Sequence, residues 1–245
     1  MQIKPDLCLE EGMRLKMNNI VIGIEGQVAS GKTSICKELV NMIPNSIFID
    51  GGNIYRGIVE ALALAHIEPT KMGKDLDPLE IMKKLKVEFK IENKMTEIYI
   101  AGNKISEDII QNAHNAVEVS KMANTSNNSH LFTFARNIIE QYKQKYNIIV
   151  SARELLDIYP NMDCHVFVTA SLEERTKRRY AQYNGKYTVE EITKMIESRD
   201  KLHEQSGFNK KGAKTITVDV TESKNAKEAS EKILKTAKEK GLINL

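Results

Sequence analysis

The sequence predicts an α/β fold, a doubly wound five-stranded parallel sheet with helices on both faces. Three observations carry this. Short continuous apolar runs recur along the 245 residues, as in strands buried on both faces. Amphipathic helical stretches separate those runs. A glycine-containing turn, Gly26 to Thr33, follows the first run and opens the first helix.

The elements follow in order. Ile20 to Ile24 is the first strand. The next helix carries Ile35, Leu39 and Met42 on one side and stops at Pro44-Asn45. SIFID (46–50) is the second strand. Asn53 to Ala65 is helical, with Ile54, Ile58, Ala61 and Ala65 on one face. Then the period shortens. Val87, Phe89 and Ile91 alternate with polar residues, as do Ile98 and Ile100 after Glu92-Asn93-Lys94. This predicts a hairpin with one wet face. It interrupts the strand–helix rhythm, so residues 86–122 are expected to form a small inserted lobe.

Leu131, Phe134, Ala135, Ile138, Ile139 and Tyr142 mark the next amphipathic helix. NIIVS (147–151), CHVFV (164–168) and TITVDV (215–220) complete the five strands. Capping boxes at Ser171–Glu174 and Thr188–Glu191 open two helices, the second with Ile192, Met195 and Ile196 inside. A last helix turns Ala226, Ala229, Ile233 and Leu234 inward and ends at Gly241. Buried strands joined by crossover helices require a parallel sheet. Residues 1–18 precede this pattern and are expected to form a mobile tail, with Met13 and Met17 as alternative starts.

Composition narrows the function classes. Lys and Arg number 36 against 33 Asp and Glu, a net charge of +3, too mild by itself to argue for a nucleic-acid partner, and none is expected. Cys8, Cys36 and Cys164 are an odd, widely spaced set without a CxxC pair. That speaks against a disulfide framework or zinc site and for a reducing, cytoplasmic setting. Neither a secretory leader nor a membrane-spanning run is expected. His66, His114, His130, His165 and His203 lack ligand spacing, and His165 is expected in the core.

Gly26-x-x-x-x-Gly31-Lys32-Thr33 matches the phosphate-binding loop in full. Its glycines let backbone N–H groups turn inward as an anion nest, and the helix N-terminus adds partial positive charge. Lys32 would reach the outer phosphates, and the Thr33 hydroxyl would ligate Mg²⁺. The second strand ends in Asp50-Gly51-Gly52-Asn53-Ile54-Tyr55-Arg56. Ligands of open α/β sheets sit at strand carboxyl ends, which puts Asp50 and Arg56 beside the loop. Arg56 would fork onto a phosphate. The plainer alternatives are that Asp50 caps the next helix and Arg56 is solvated. The third strand ends in Ser151-Ala152-Arg153-Glu154, where an NTP-hydrolysing machine would show an aspartate for Mg²⁺. Arg153 is a second acceptor clamp or a partner of Glu154 or Asp50. The run Glu173 to Tyr180 carries Arg175, Arg178 and Arg179, and the next helix carries Arg199. Two arginine-bearing helices on the nucleotide side are expected to form a lid over residues 172–206.

These residues resemble the bacterial cytidylate kinases, of the P-loop nucleoside monophosphate kinase fold. IEGQVASGKTS is similar to that family's phosphate loop, and FIDGGNIYRG to its acceptor-strand motif. VEFKIENKMTEIYIAGNKISEDI followed by NAV (115–117) resembles its inserted monophosphate-binding lobe. YPNMDCHVFVTASLEERTKRRY resembles its approach strand and lid. The resemblance implies ATP as donor with Mg²⁺, held by Gly26, Gln27, Val28, Ala29, Ser30, Gly31, Lys32, Thr33 and Ser34. It implies catalysis by Lys32, Arg178 and Arg199, with acceptor contacts from Asp50, Tyr55, Arg56 and Arg153. Arg175 and Arg179 would belong to the lid, and the turn after Asp219 would help hold adenine. Small-molecule substrates, a monomeric state and no membrane partner complete the expectation.

The chain departs from the family pattern at definite positions. Gly51 replaces a Ser or Thr, and Ser151-Ala152-Arg153-Glu154 replaces Asp-Gly-Arg-Asp. Glu118 replaces a serine, Asn127, Asn128 and Ser129 occupy the region of a base-side arginine, and His203 and Ser206 replace an Asp and an Arg. The phosphate grips are kept; the groups that would read sugar and base are changed. CMP or dCMP is the first acceptor to consider. A different small acceptor, or a nucleotide-binding regulatory module without turnover, remains open at the level of sequence.

Overall fold

Five parallel strands form the centre of the computed structural model, which describes residues 19–72, 75–110, 112, 115, 118–119, 122, 129–205 and 210–244. The predicted tail, Asn127, Asn128 and Ser206 lie outside the described residues. Strand β1 (Val21–Gly26) pairs in parallel with β6 (Asn147–Ser151) on one side and β7 (Cys164–Thr169) on the other. Beyond β6 lies β2 (Ser46–Asp50), and beyond β7 lies β8 (Thr215–Asp219), both parallel to their neighbours. The chain leaves β1 toward β2 and later crosses to β7, so the carboxyl end of β1 is the point where strand order reverses. That is where an open α/β sheet makes a ligand crevice.

The predicted hairpin does not stand apart from this sheet. Strands β3 (Val87–Glu92) and β4 (Met95–Ile100) pair antiparallel around Asn93 and Lys94, whose φ values of 48° and 63° suit a tight hairpin turn. β4 continues the sheet edge beside β2 at the Phe48–Met95 pair, and the short β5 (Asn103–Lys104) pairs with β4. The parallel core predicted from sequence thus gains an antiparallel edge. Phe89 meets Phe134 edge-on at 6.0 Å, which seats the hairpin on helix α5 (Ser129–Lys143).

Helices cover both faces. α1 (Lys32–Met42) and α9 (Ala226–Glu239) bury Ile35, Leu39, Ala229 and Ile233 against Ile22, Ile24, Val166 and Val218. α2 (Gly51–Leu64), α5 and the one-turn α6 (Leu155–Ile158) bury Ile54, Ile58, Ile139 and Leu155 against Ile47, Ile49 and Val150. Each fully buried Ile or Leu contributes roughly 1.5–3 kcal/mol of transfer free energy, and these positions recur at helix or strand spacing. Two short helices, α3 (Pro78–Lys84) and α4 (Glu107–Ile110), flank the hairpin. Helices α7 (Leu172–Tyr183) and α8 (Val189–Gln205) form a helical hairpin after β7. The box at Thr188–Glu191 is reciprocal; at Ser171 only half forms, the hydroxyl accepting from Glu174 N–H at 3.2 Å while the Ser171 N–H donates to Thr221 Oγ1 at 2.8 Å. Among the described residues no helix is long and apolar enough to cross a membrane.

Candidate active site

The phosphate loop is built from its backbone. Gly26 has φ 148°, and a Cβ there would lie 2.1 Å from the Val168 carbonyl oxygen, so only glycine lets β1 pass so close to β7. The Gln27 amide then donates to that same carbonyl at 3.1 Å, and the Gln27 side chain accepts from Ala170 N–H at 3.1 Å. Ala29 and Gly31 take left-handed conformations at φ 61° and 90°, the alternation that turns successive N–H groups toward one centre. Gly31 caps α1 without any side-chain bond to its first turn. A helix N-terminus uncapped by a side chain suits an anion. Lys32 lies back across the loop, its Nζ donating to the carbonyls of Gly26 at 3.0 Å and Gln27 at 2.7 Å. Thr33 and Ser34 stand exposed on the first turn.

The acceptor side comes from the ends of β2 and β6. Asp50 caps α2, accepting from Asn53 N–H at 3.1 Å, which is the plainer of its two sequence readings. Burial pushes its carboxyl above the usual range against the pull of that bond and of Arg56. Arg56 donates to Asn53 Oδ1 at 3.1 Å and stays over the helix start. The Tyr55 hydroxyl is buried without a hydrogen-bond partner, and burial raises its pKa, with Glu154 adding to the effect. Arg153 stands on the turn after β6. Its successor Glu154 has φ 57°, and the next amide, of Leu155, donates to Glu25 Oε1 at 2.9 Å. Glu25 Oε2 meets His165 Nε2 at 2.8 Å, and His165 Nδ1 meets Thr215 Oγ1 at 2.9 Å. A buried polar chain therefore runs under the site from β8 to the Arg153 turn. Arg136 braces the other end of α6 through the carbonyls of Ile158 and Asp157, at 2.8 and 3.2 Å.

Helices α7 and α8 sit on the phosphate loop. Val28 packs against Ile192 and Ile196. Arg178 donates to the Ser30 carbonyl at 3.3 Å and the Val220 carbonyl at 2.9 Å, and pairs with Glu174 at 2.9 Å. Arg179 lies over the Tyr183 ring, 4.9 Å from its centre. Arg175 is on α7, the first of the two predicted lid helices, with its guanidinium buried, bonded to the carbonyls of Ala170 and Val28 and paired with Asp200 at 2.5 Å. It holds the loop from behind and does not face the crevice.

The cations of these segments converge. Burial and then Arg199 and Arg56 hold the Arg153 pKa below its ordinary value. Burial and then Arg179 do the same to Arg199, with Arg56 contributing. Burial lowers Lys32 to about 8, Arg153 and Arg199 acting with it and Cys36 and Asp200 against it. His203, one turn after Arg199, is pushed down to about 4 by burial and then by Arg153, Arg199 and Lys32. Like charges held this close from three segments are unfavourable alone and favourable around a polyanion. The sequence reading missed Asp200, Glu25 and Arg136. Each acts through a backbone group far along the chain, which no local pattern reports. His165 is in the core as expected, though as a hydrogen-bonded partner of Glu25 rather than an apolar filler.

A family model described as cytidylate kinase matches residues 22–239. A cytidylate kinase of Pseudothermotoga lettingae is 29% identical over 232 residues, covering 90% of this chain and 95% of its own. One from Alkaliphilus oremlandii is 27% identical over 217 residues, covering 84% and 92%. Among solved structures, a shikimate kinase from Bacteroides thetaiotaomicron aligns with a TM-score of 0.43 at 11% identity, covering 91% of this chain and 98% of its own.

Proposed function

The chain belongs to the cytidylate kinase family, and from that premise we propose that it transfers the γ-phosphoryl group of MgATP to a nucleoside monophosphate, CMP or dCMP first. One observation carries this reading: the loop Gly26–Thr33, with Lys32 bonded across it, and the turn bearing Arg153 lie at the carboxyl ends of the adjacent parallel strands β1 and β6. An acceptor phosphate oxygen would attack the γ-phosphorus in line, and the bond to the β–γ bridging oxygen would break, giving ADP and a nucleoside diphosphate. Lys32 and the loop amides would stabilise the donor, Arg56 and Arg153 the acceptor phosphate, and Arg199 the charge on the group in flight. No covalent enzyme intermediate is needed; positioning and charge neutralisation supply the rate.

The donor set suits Mg²⁺ brought by the nucleotide. Among the described residues no group of three metal-ligating side chains occurs, while the Thr33 hydroxyl stands exposed at the start of α1. A magnesium ion keeps most of its waters and phosphate oxygens, so one hydroxyl suffices. Bound there, it would neutralise charge on the β- and γ-phosphates.

A second reading keeps the chemistry and changes the acceptor. Glu118, in place of the serine of the family pattern, would suit an acceptor bearing an amine or several hydroxyls. Purified protein with MgATP and a panel of monophosphates and small phosphorylated or hydroxylated metabolites separates the readings by ADP release. Turnover with CMP or dCMP supports the first, and turnover only with another compound supports the second. Tight ATP binding with no acceptor-dependent ADP would defeat both and leave a nucleotide-binding module.

A further inference from the structure

The lid and the phosphate loop meet in one closed ring of bonds. Arg175 Nη1 donates to Asp200 Oδ2 at 2.5 Å and to the Val28 carbonyl at 3.2 Å. The Val28 amide donates to Asp200 Oδ1 at 3.3 Å. Both backbone polar groups of a single loop residue are thus held by one ion pair. A further bond from Arg175 Nε to the Ala170 carbonyl, at 3.0 Å, fixes the guanidinium from the end of β7. The two side chains are 5% and 19% exposed, so water does not readily replace a bond that is lost.

Two other bonds at the loop apex are of the same length as the Val28–Asp200 bond, 3.3 Å. The Ser30 amide reaches the Gln27 carbonyl at 3.3 Å, and Arg178 reaches the Ser30 carbonyl at 3.3 Å. Amides that cradle a phosphate chain must keep their positions to within about 0.5 Å. We infer that Asp200 is a positioning residue for the donor site, setting the apex of the phosphate loop through Val28 and locking it to α7 through Arg175. It acts through the loop amides and does not itself meet the nucleotide. The inference rests on the reading of Gly26 to Ser34 as the donor site.

The test compares the full wild-type chain with Asp200→Asn and with Arg175→Met/Asp200→Leu. Titration with a fluorescent ATP analogue gives the dissociation constant, and thermal unfolding gives stability. The double variant removes both charges at similar volume but leaves the Val28 amide and the Val28 and Ala170 carbonyls without these partners, so its melting temperature should fall. Its ATP affinity should also fall at least about tenfold, because the Val28 amide is unheld. Asp200→Asn keeps an acceptor for Val28 but not the charge for Arg175, and should weaken ATP several-fold. A double variant that matches wild type in ATP affinity, whatever its melting temperature, would show the pair to be structural only and overturn the inference. If the double variant fails to fold, Asp200→Asn decides. Weaker ATP at an unchanged melting temperature supports positioning, and unchanged affinity overturns it. A wild-type chain that binds no ATP overturns the donor-site reading itself, and the inference with it.

Discussion

The Cβ of Ala152 occupies the space that a side chain on Gly51 would need: a Cβ built on Gly51 would lie 2.6 Å from it. A side chain at 51 and a methyl at 152 therefore exclude each other across the ends of β2 and β6. Gly51→Ser alone should destabilise the protein by about 1–3 kcal/mol through overpacking. Ala152→Gly should relieve most of that in the double variant. Chemical denaturation of the four proteins gives the coupling, and additive effects would show the two positions to be independent.

Gly26 admits no side chain, because both its φ of 148° and the 2.1 Å approach to the Val168 carbonyl stand against one. Gly26→Ala should lose nucleotide binding and lower the melting temperature together. A folded Gly26→Ala protein with wild-type ATP affinity would contradict the close strand approach.

Glu25 anchors three elements at once. Glu25→Ala strands the Leu155 amide and His165 Nε2 and should cost about 1–3 kcal/mol for each unsatisfied group. Glu25→Gln keeps an oxygen for Leu155 and offers an N–H to His165, which can answer by changing tautomer and donating to Thr215. The glutamine variant should recover most of the stability lost in the alanine variant, as read by urea denaturation.

Proton linkage gives a signature without knowledge of the acceptor. Lys32 sits at about 8 instead of 10.5, chiefly through burial. The folded chain thus binds fewer protons than the unfolded chain between those values, and this group's contribution to stability rises with pH across that window. A bound polyphosphate restores the charge, so ADP binding at a pH near 9 should take up protons. Calorimetry in two buffers of different ionisation enthalpy reads this directly, and Lys32→Ala should abolish the uptake.

His203 shows the same sign at lower pH. Its pKa falls from 6.5 to about 4, with burial first and Arg153, Arg199 and Lys32 behind it. Stability from the neutral ring is present above pH 6.5 and is lost as pH falls toward 4. His203→Gln should flatten the melting temperature between those limits. An imidazole that titrates at its ordinary value by NMR would place it outside the cation cluster.

The strands, the helix order and the phosphate loop were legible in sequence because each repeats a short-range period or spacing. The helix start at Leu172 follows from four consecutive residues. The hairpin was legible as a hairpin but not as an extension of the sheet, since the Phe48–Met95 pairing joins strands that no local period links. Arg175 and Arg178 read alike in sequence, two basic residues in one helix. Only the fold separates the one buried behind the loop from the one reaching its outer carbonyl. Asp200 carried no signal, because its partners are a main-chain amide and an arginine 25 positions away.

The contact of Val28 with Ile192 and Ile196 also sets what can be exchanged between relatives. Part of the lid's small interior belongs to the phosphate loop. A chimera that imports helices 172–205 from a homologue, and keeps this chain's residues 26–33, would join two halves of a packing unit that were never fitted to each other. The transplantable module is loop and lid together, cut in the strands β1 and β7 and in the segment before β8.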